Sequence, residues 1–184
     1  MAQPRIYTKR GDDGTTGLSY GGRVRKDSLQ IELNGVVDET QAVMGLARAS
    51  TEDGSEANDL LVSLCRDLYL VMAEIAVLPE NRHKALAAGS VVTPEMVVRL
   101  EEKIDELLER FDMPTDFTIP GKNATTAALD LARTVARRAE RLWVQGPIEG
   151  SLVGAYLNRL SDLLWAMARW QEGPEHELSK QVGS

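Results

Sequence analysis

Apolar residues recur at helical spacing in five long stretches of this chain, and proline, glycine or a polar break closes each of them. Leu29, Leu33, Val36, Val37, Met44 and Ala47 repeat near i, i+3, i+4 and i+7, so the spacing predicts a first helix from about 27 to 50. Leu60, Leu61, Leu64, Leu68, Val71, Ile75 and Leu78 form a second stripe from about 58 to 78, stopped by Pro79. Thr93-Pro94-Glu95 supplies an N-cap, a proline at the first helical position and an early carboxylate, which opens a third helix that Pro114 ends soon after Phe111. A fourth helix is expected over about 123 to 145, before Gly146-Pro147, and a fifth over about 151 to 171, before Gly173-Pro174. With mostly short links and no convincing alternating run, the expected fold is all-α, a five-helix bundle.

The first 26 residues break this pattern. Five glycines lie between Gly11 and Gly22, mixed with Asp12, Asp13, Thr15 and Thr16, and the segment reads as a loop. The expected organisation is one domain over 1–184: an N-terminal loop over 1–26, a bundle over 27–172 and a frayed tail over 173–184. A net charge of −7 argues against nucleic acid or an anionic membrane as a partner, so any phosphate site must be a local basic pocket. Cys65 is the only cysteine, which excludes an intrachain disulfide and suits a reducing cytoplasm; its apolar setting marks it as a structural thiol. Residues 1–5 lead into no apolar leader, and no segment approaches the roughly 20 apolar residues that span a bilayer, so a soluble, unexported protein is expected.

Four stretches carry candidate chemistry. In Thr8-Lys9-Arg10-Gly11-Asp12-Asp13-Gly14-Thr15-Thr16-Gly17, followed by Arg23, Arg25 and Lys26, glycines let backbone N–H groups approach phosphate oxygens while lysines supply charge. It is not a Walker A loop, because Leu18 and Ser19 follow Gly17 where Lys and Ser or Thr are required. Composition alone favours a mobile tail over a polyphosphate cradle but does not settle between them. On the fourth helix Arg133, Arg137, Glu140 and Arg141 are spaced i, i+4, i+7 and i+8 and share one face, either a solvated stripe or a phosphate-binding one. On the fifth, Asn158 and Asp162 lie one turn apart beside Ser161, and on the first Asp38 adjoins the apolar stripe and needs a cation. His83 and His176 are incidental on this reading, and no Ser-His-Asp or Cys-His apparatus is present.

Taken together, these stretches resemble the PduO-type ATP:cob(I)alamin adenosyltransferase family, whose members carry T-K-x-G-D-x-G-x-T, a V-D-E-L-like segment, R-x-x-x-R-R-A-E-R and L-N-R-L-S-D in this order. The resemblance implies transfer of the 5′-deoxyadenosyl group of ATP to cob(I)alamin, with Mg²⁺, in a homotrimer whose active sites lie between subunits. It implies ATP contacts from Thr8, Lys9, Arg10, Gly11, Gly14, Thr15, Thr16 and Lys26, completed by Arg137, Arg138, Glu140, Arg141 and Asn158. It implies further that Arg137 and Lys9 act on the polyphosphate, that Arg133 pairs with Asp38 across a subunit boundary, and that Phe117 and Asp162 meet the corrinoid. No residue is expected as a metal ligand. Thr40 and Gln41 stand where Leu and Asn are common, and Lys122 where a second Gly follows Pro120-Gly121; these departures bear on the helix-one contact and on the loop carrying Phe117.

The chemistry this implies needs little acid–base machinery. Cobalt(I) is itself the nucleophile, so the protein must chiefly hold the 5′-carbon in line and stabilise the departing triphosphate. An apolar side chain at the lower corrin face favours the four-coordinate cobalt(II) that is easier to reduce, and Phe117 is the candidate. A non-catalytic carrier of ATP or corrinoid is the alternative, and hand-over to an adenosylcobalamin-dependent enzyme is the downstream partner to expect.

Overall fold

The computed structural model describes residues 6–180, so the leader reading of residues 1–5 and the last four tail residues, 181–184, lie outside the described residues. Its long helices are α1 (Leu29–Ala49), α2 (Glu56–Ile75), α4 (Pro94–Leu108), α5 (Ala124–Trp143) and α6 (Val153–Glu172). The bundle expected from the periodicity is present, with two differences. Residues 79–92, read as a connection, contain a 3₁₀ turn (Pro79–Asn81) and a short helix α3 (Arg82–Ala87), so six α-helices rather than five occur among the described residues. The glycine-rich segment holds a small antiparallel pair, β1 (Thr15–Gly17) and β2 (Arg23–Arg25), which pairs Thr16 with Val24. Three-residue strands are too short for an alternating pattern to register in sequence.

Local chemistry explains the helix ends. Ser55, Thr93 and Asn123 each cap a helix by accepting a backbone N–H two or three residues into it, and Asn123 with Thr126 completes a capping box. Helix α2 stops at Ile75, before Pro79, because its last carbonyls are taken by other elements. Gln30 Nε2 donates to the carbonyls of Ile75 and Val77, Asn34 Nδ2 to that of Met72 at 3.0 Å, and the Ser19 amide to that of Ala76 at 2.8 Å. The N-terminal segment is thereby fastened to the end of α2 and the start of α1.

Helix α5 packs against both α1 and α6, α1 against α2, and α4 against α6. The face of α5 that does this is Leu129, Ala132, Val135, Ala136, Ala139 and Trp143, the 3.6-residue stripe, and its alanines let the backbones come close. Gly154 serves the same end on α6: a Cβ there would lie 2.4 Å from Trp143 Nε1. Between α2, α4 and α6 a buried polar link joins Tyr156 Oη to Asp67, which also accepts Arg99 Nη2 at 3.0 Å. Burial, with the Asp67 charge second, drives the Tyr156 phenol well above its ordinary pKa and keeps it a neutral donor. Thr40, one of the departures noted above, is fully buried and satisfied by the Val36 carbonyl on its own helix.

Part of the tail expected to fray, residues 177–179, pairs with the loop that precedes α5. Residues 117–119 and 177–179 run antiparallel, with the Ile119 amide donating to Glu177 O and the Ser179 amide to Phe117 O, both at 2.7 Å. His176, expected to be incidental, binds Glu172 Oε2 through Nδ1 at 2.8 Å. His83 lies in α3.

Candidate functional site

The glycine-rich segment folds on itself through Asp13 and Arg23. Asp13 Oδ1 accepts the Thr15 amide at 2.9 Å and the Thr15 hydroxyl at 2.8 Å, and these bonds hold its carboxyl below the usual range, the amide first and the hydroxyl second. Arg23 donates to the Arg10 carbonyl and to Thr15 Oγ1, both at 2.6 Å through Nη2. The chain bends sharply at Lys9, whose φ is +59°, and at Gly14, at +80°. The Lys26 amide donates to the Gly14 carbonyl at 2.9 Å, and its ammonium lies over Gly11, where an added Cβ would sit 3.1 Å from Nζ. Thr8, Lys9 and Arg10 are exposed beside this turn. Arg25, by contrast, is held by Asp27 at 2.6 Å. Arg23, present in the basic run but given no role in the sequence reading, is what ties the segment together.

Thr16, Gly17 and Lys26 open into a cavity of about 420 Å³ floored by Ile31, Asn34, Gly35 and Asp38 of α1. Asp38 is exposed there and forms no salt bridge among the described residues.

The second group lies on α5 and α6. Glu140 accepts Asn158 Nδ2 of α6 at 2.8 Å and stands 3.9 Å from Arg137 Nη1, leaving that guanidinium half exposed. The stagger of a helix brings Arg133, Arg137, Glu140 and Arg141 to one side of α5, next to its buried stripe. Arg138 sits about 100° further round and pairs with Glu39 of α1. Arg133 pairs with Asp130 at 3.2 Å within its own helix. Ser161 is satisfied by the Asn158 carbonyl. Among the described residues no hydrogen bond or salt bridge joins residues 8–26 to α5 or α6.

The third group surrounds Trp165. On one side Phe117, Thr118, Asp130, Arg133 and Arg169 line a cavity of about 520 Å³; on the other, Asp162, Arg159, Glu101 and Met113 line one of about 360 Å³. Phe117 is 83% exposed, which is unusual for a phenylalanine and leaves its ring free to meet a ligand. Arg169, Asp130 and Thr118 escape the sequence reading. Asp130-x-x-Arg133 and Arg169-x-x-Glu172 are visible as i,i+3 pairs, but their burial is not.

Among the described residues no group of three or more His, Cys, Asp or Glu side chains is placed to hold a metal ion. No described helix is long and apolar enough to cross a membrane. Cys65 is half-buried, and burial pushes its thiol up, against a smaller opposing pull from Arg48.

Comparison with known proteins gives a consistent picture. The family model for cobalamin adenosyltransferase matches residues 6–171. The chain is 36% identical over 171 residues to a corrinoid adenosyltransferase of Citrobacter freundii, across 91% of this chain and 95% of that one. It is 33% identical over 175 residues to the corrinoid adenosyltransferase PduO of Salmonella typhimurium, across 94% of this chain and 51% of that protein, so it spans about half of that relative's length. Among solved structures it resembles a variant of the PduO-type ATP:corrinoid adenosyltransferase from Lactobacillus reuteri complexed with cobalamin and ATP. The TM-score is 0.84 at 26% identity, covering 96% of this chain and 97% of that one.

Proposed function

Because the chain belongs to the cobalamin adenosyltransferase family, we propose that it transfers the 5′-deoxyadenosyl group of ATP to cob(I)alamin, releasing triphosphate and adenosylcobalamin. It is an ATP:corrinoid adenosyltransferase, and its own residues account for the steps. Cobalt(I) attacks the 5′-carbon in line, the cobalt–carbon bond forms as the carbon–oxygen bond breaks, and negative charge grows on the leaving triphosphate. Lys9, Lys26 and Arg137 offset that charge. Thr8, Arg10, Gly11, Gly14, Thr15 and Thr16 enclose the phosphates with N–H and hydroxyl donors, and Arg138, Glu140, Arg141 and Asn158 complete the ATP pocket. Mg²⁺ arrives as part of the substrate, MgATP. Phe117 meets the lower corrin face and Asp162 the corrinoid on the other side of Trp165.

The observation that carries this reading is the Arg137–Glu140–Asn158 chain. Asn158 fixes Glu140 at 2.8 Å, Glu140 stands 3.9 Å from Arg137, and the guanidinium is left half exposed. A cation so held is available to an anion that a surface ion pair would already have satisfied.

A homotrimer with sites between subunits is part of the same proposal, and the placement of the two groups supports it. Among the described residues no hydrogen bond or salt bridge joins the N-terminal cradle to the arginine face, and in the proposed trimer a neighbouring copy brings one to the other. Asp38, exposed at the cradle's floor, is then free to take Arg133 of the next subunit away from Asp130. We take residues 1–184 as one domain acting in the cytoplasm, where a lone unpaired cysteine is stable, and hand-over of the product to an adenosylcobalamin-dependent enzyme as its outlet.

Anaerobic incubation with cob(I)alamin and MgATP tests the activity. The spectrum of alkylcobalt should appear with one triphosphate per corrinoid; orthophosphate and diphosphate in its place, or no alkylcobalt, would overturn the reading.

A further inference from the structure

Phe117 projects into solvent from a loop, and a loop side chain keeps a fixed direction only if its backbone is held. Three sets of contacts hold this one. Arg169 of α6 is 1% exposed and reaches the loop from beneath. Its Nη1 donates to Thr118 Oγ1, its Nη2 to Asp130 Oδ2 and Glu172 Oε1 at 2.7 Å each, and its guanidinium lies over the Trp165 ring at 5.8 Å. From above, Ser179 donates its amide to the Phe117 carbonyl and the Ile119 amide donates to Glu177 O. Lys122, the departure from the family pattern at the foot of the loop, donates to the Glu175 carbonyl at 2.6 Å.

The segment that clamps the loop is itself anchored in the same cluster. His176 binds Glu172, whose other carboxylate oxygen is held by Arg169, and the imidazole meets the edge of Phe111, which in turn packs on Trp165. Asp130 carries the cluster on to Arg133, which lines the same cavity as Phe117. One buried guanidinium therefore ties α5, α6, the Phe117 loop and the C-terminal segment together. A buried charge network of this kind is costly for stability alone, since apolar residues of similar volume would serve as well or better.

We infer that Arg169 and the C-terminal segment 176–179 are positioning elements that aim Phe117 at the corrin, through Thr118 on one side and the Phe117 carbonyl on the other. This rests on reading Phe117 as the side chain at the lower corrin face. Two of these three sets of contacts, the Arg169 bond to Thr118 and the Ser179 bond to Phe117, are grips that can each be removed without touching a residue of the ATP pocket.

The test uses the full-length enzyme with Thr118→Val, which removes the acceptor for Arg169, Ser179→Pro, which removes the N–H bound to Phe117, and Phe117→Ala. Loss of either grip should raise the KM for corrinoid by up to about tenfold, the scale of one net hydrogen bond, and leave the KM for ATP unchanged. It should also reduce the fraction of bound cob(II)alamin whose visible spectrum lacks a lower ligand. Neither grip variant should add to the defect of Phe117→Ala in a double-mutant cycle. If Phe117→Ala alters the corrinoid KM and the spectrum while both grip variants stay within about twofold of the parent, the positioning inference falls and the role of Phe117 stands. Should Phe117→Ala itself change neither, the role of Phe117 fails and the inference with it. A parallel rise of both KM values with a lowered Tm would mark the contacts as structural only and overturn the inference.

Discussion

Replacing Arg137 with alanine should separate catalysis from folding in this enzyme. Among the described residues the guanidinium makes a single ion pair, 3.9 Å from Glu140, with the two side chains 49% and 23% exposed. A pair that long and that wet contributes at most about 1 kcal/mol, and alanine is at least as good a helix former as arginine. For a chain of 184 residues, that loss lowers Tm by no more than about 2–4 °C. The effect on turnover should be far larger. Removing one preformed donor from a developing anion costs about 2.7–4 kcal/mol of transition-state stabilisation, a fall in kcat of roughly 10²–10³-fold. Arg137→Lys keeps the charge but loses the planar fork, so its kcat should lie between the two. The assay is alkylation of cob(I)alamin under saturating MgATP, followed by visible absorbance, with thermal unfolding monitored by circular dichroism. Turnover near the parental value in a folded Arg137→Ala protein would refute the role given to Arg137. A drop in Tm beyond about 10 °C would refute the energetic argument, since the ion pair would then matter more than its geometry allows.

Asp38→Asn should weaken trimer and activity together, because a partly buried Arg133 of the next subunit would be stranded at a cost of about 3–5 kcal/mol. Sedimentation over a dilution series checks this; a trimer that persists undiminished at every concentration would reject the pairing. Lys9→Ala and Lys26→Ala should raise the KM for ATP, and MgATP should protect the first 26 residues of the parent enzyme from protease, whereas unchanged cleavage would leave them an inert tail. Cys65 should react with a disulfide reagent at pH 8 more slowly than a free thiol, since burial raises its pKa and the folded state holds less thiolate at that pH. Reaction should quicken as pH rises; a rate equal to that of free cysteine would contradict the burial.

Much of the site was legible because it lies on helices. Arg133, Arg137, Glu140 and Arg141 fall on one side of α5 by spacing alone, and Asn158 faces Glu140 because two amphipathic helices pack along their stripes. The position of Arg138 is legible by the same rule: one residue past Arg137 turns it about 100° away, toward Glu39 of α1. Arg23, Thr118 and Arg169 were not legible in this way. Each acts through a partner distant in the chain or through a backbone carbonyl, and neither leaves a periodic trace.

The sequence by itself determined which long segments are helical, where most of them end, and which cations are clustered, because periodicity, caps, proline and glycine act within a few residues of themselves. It also carried four ordered motifs that identify the family. Only the tertiary structure decided that the glycine-rich segment closes into a strand pair on the end of α2, that the tail clamps residues 117–119, and that Arg169 is buried with Asp130 and Glu172. Those outcomes depend on which backbone groups remain unpaired once the helices have packed. An unmet buried donor costs about 1–3 kcal/mol, so the loops settle where they can satisfy one another. That is a property of the assembled surface, which no short window of sequence contains.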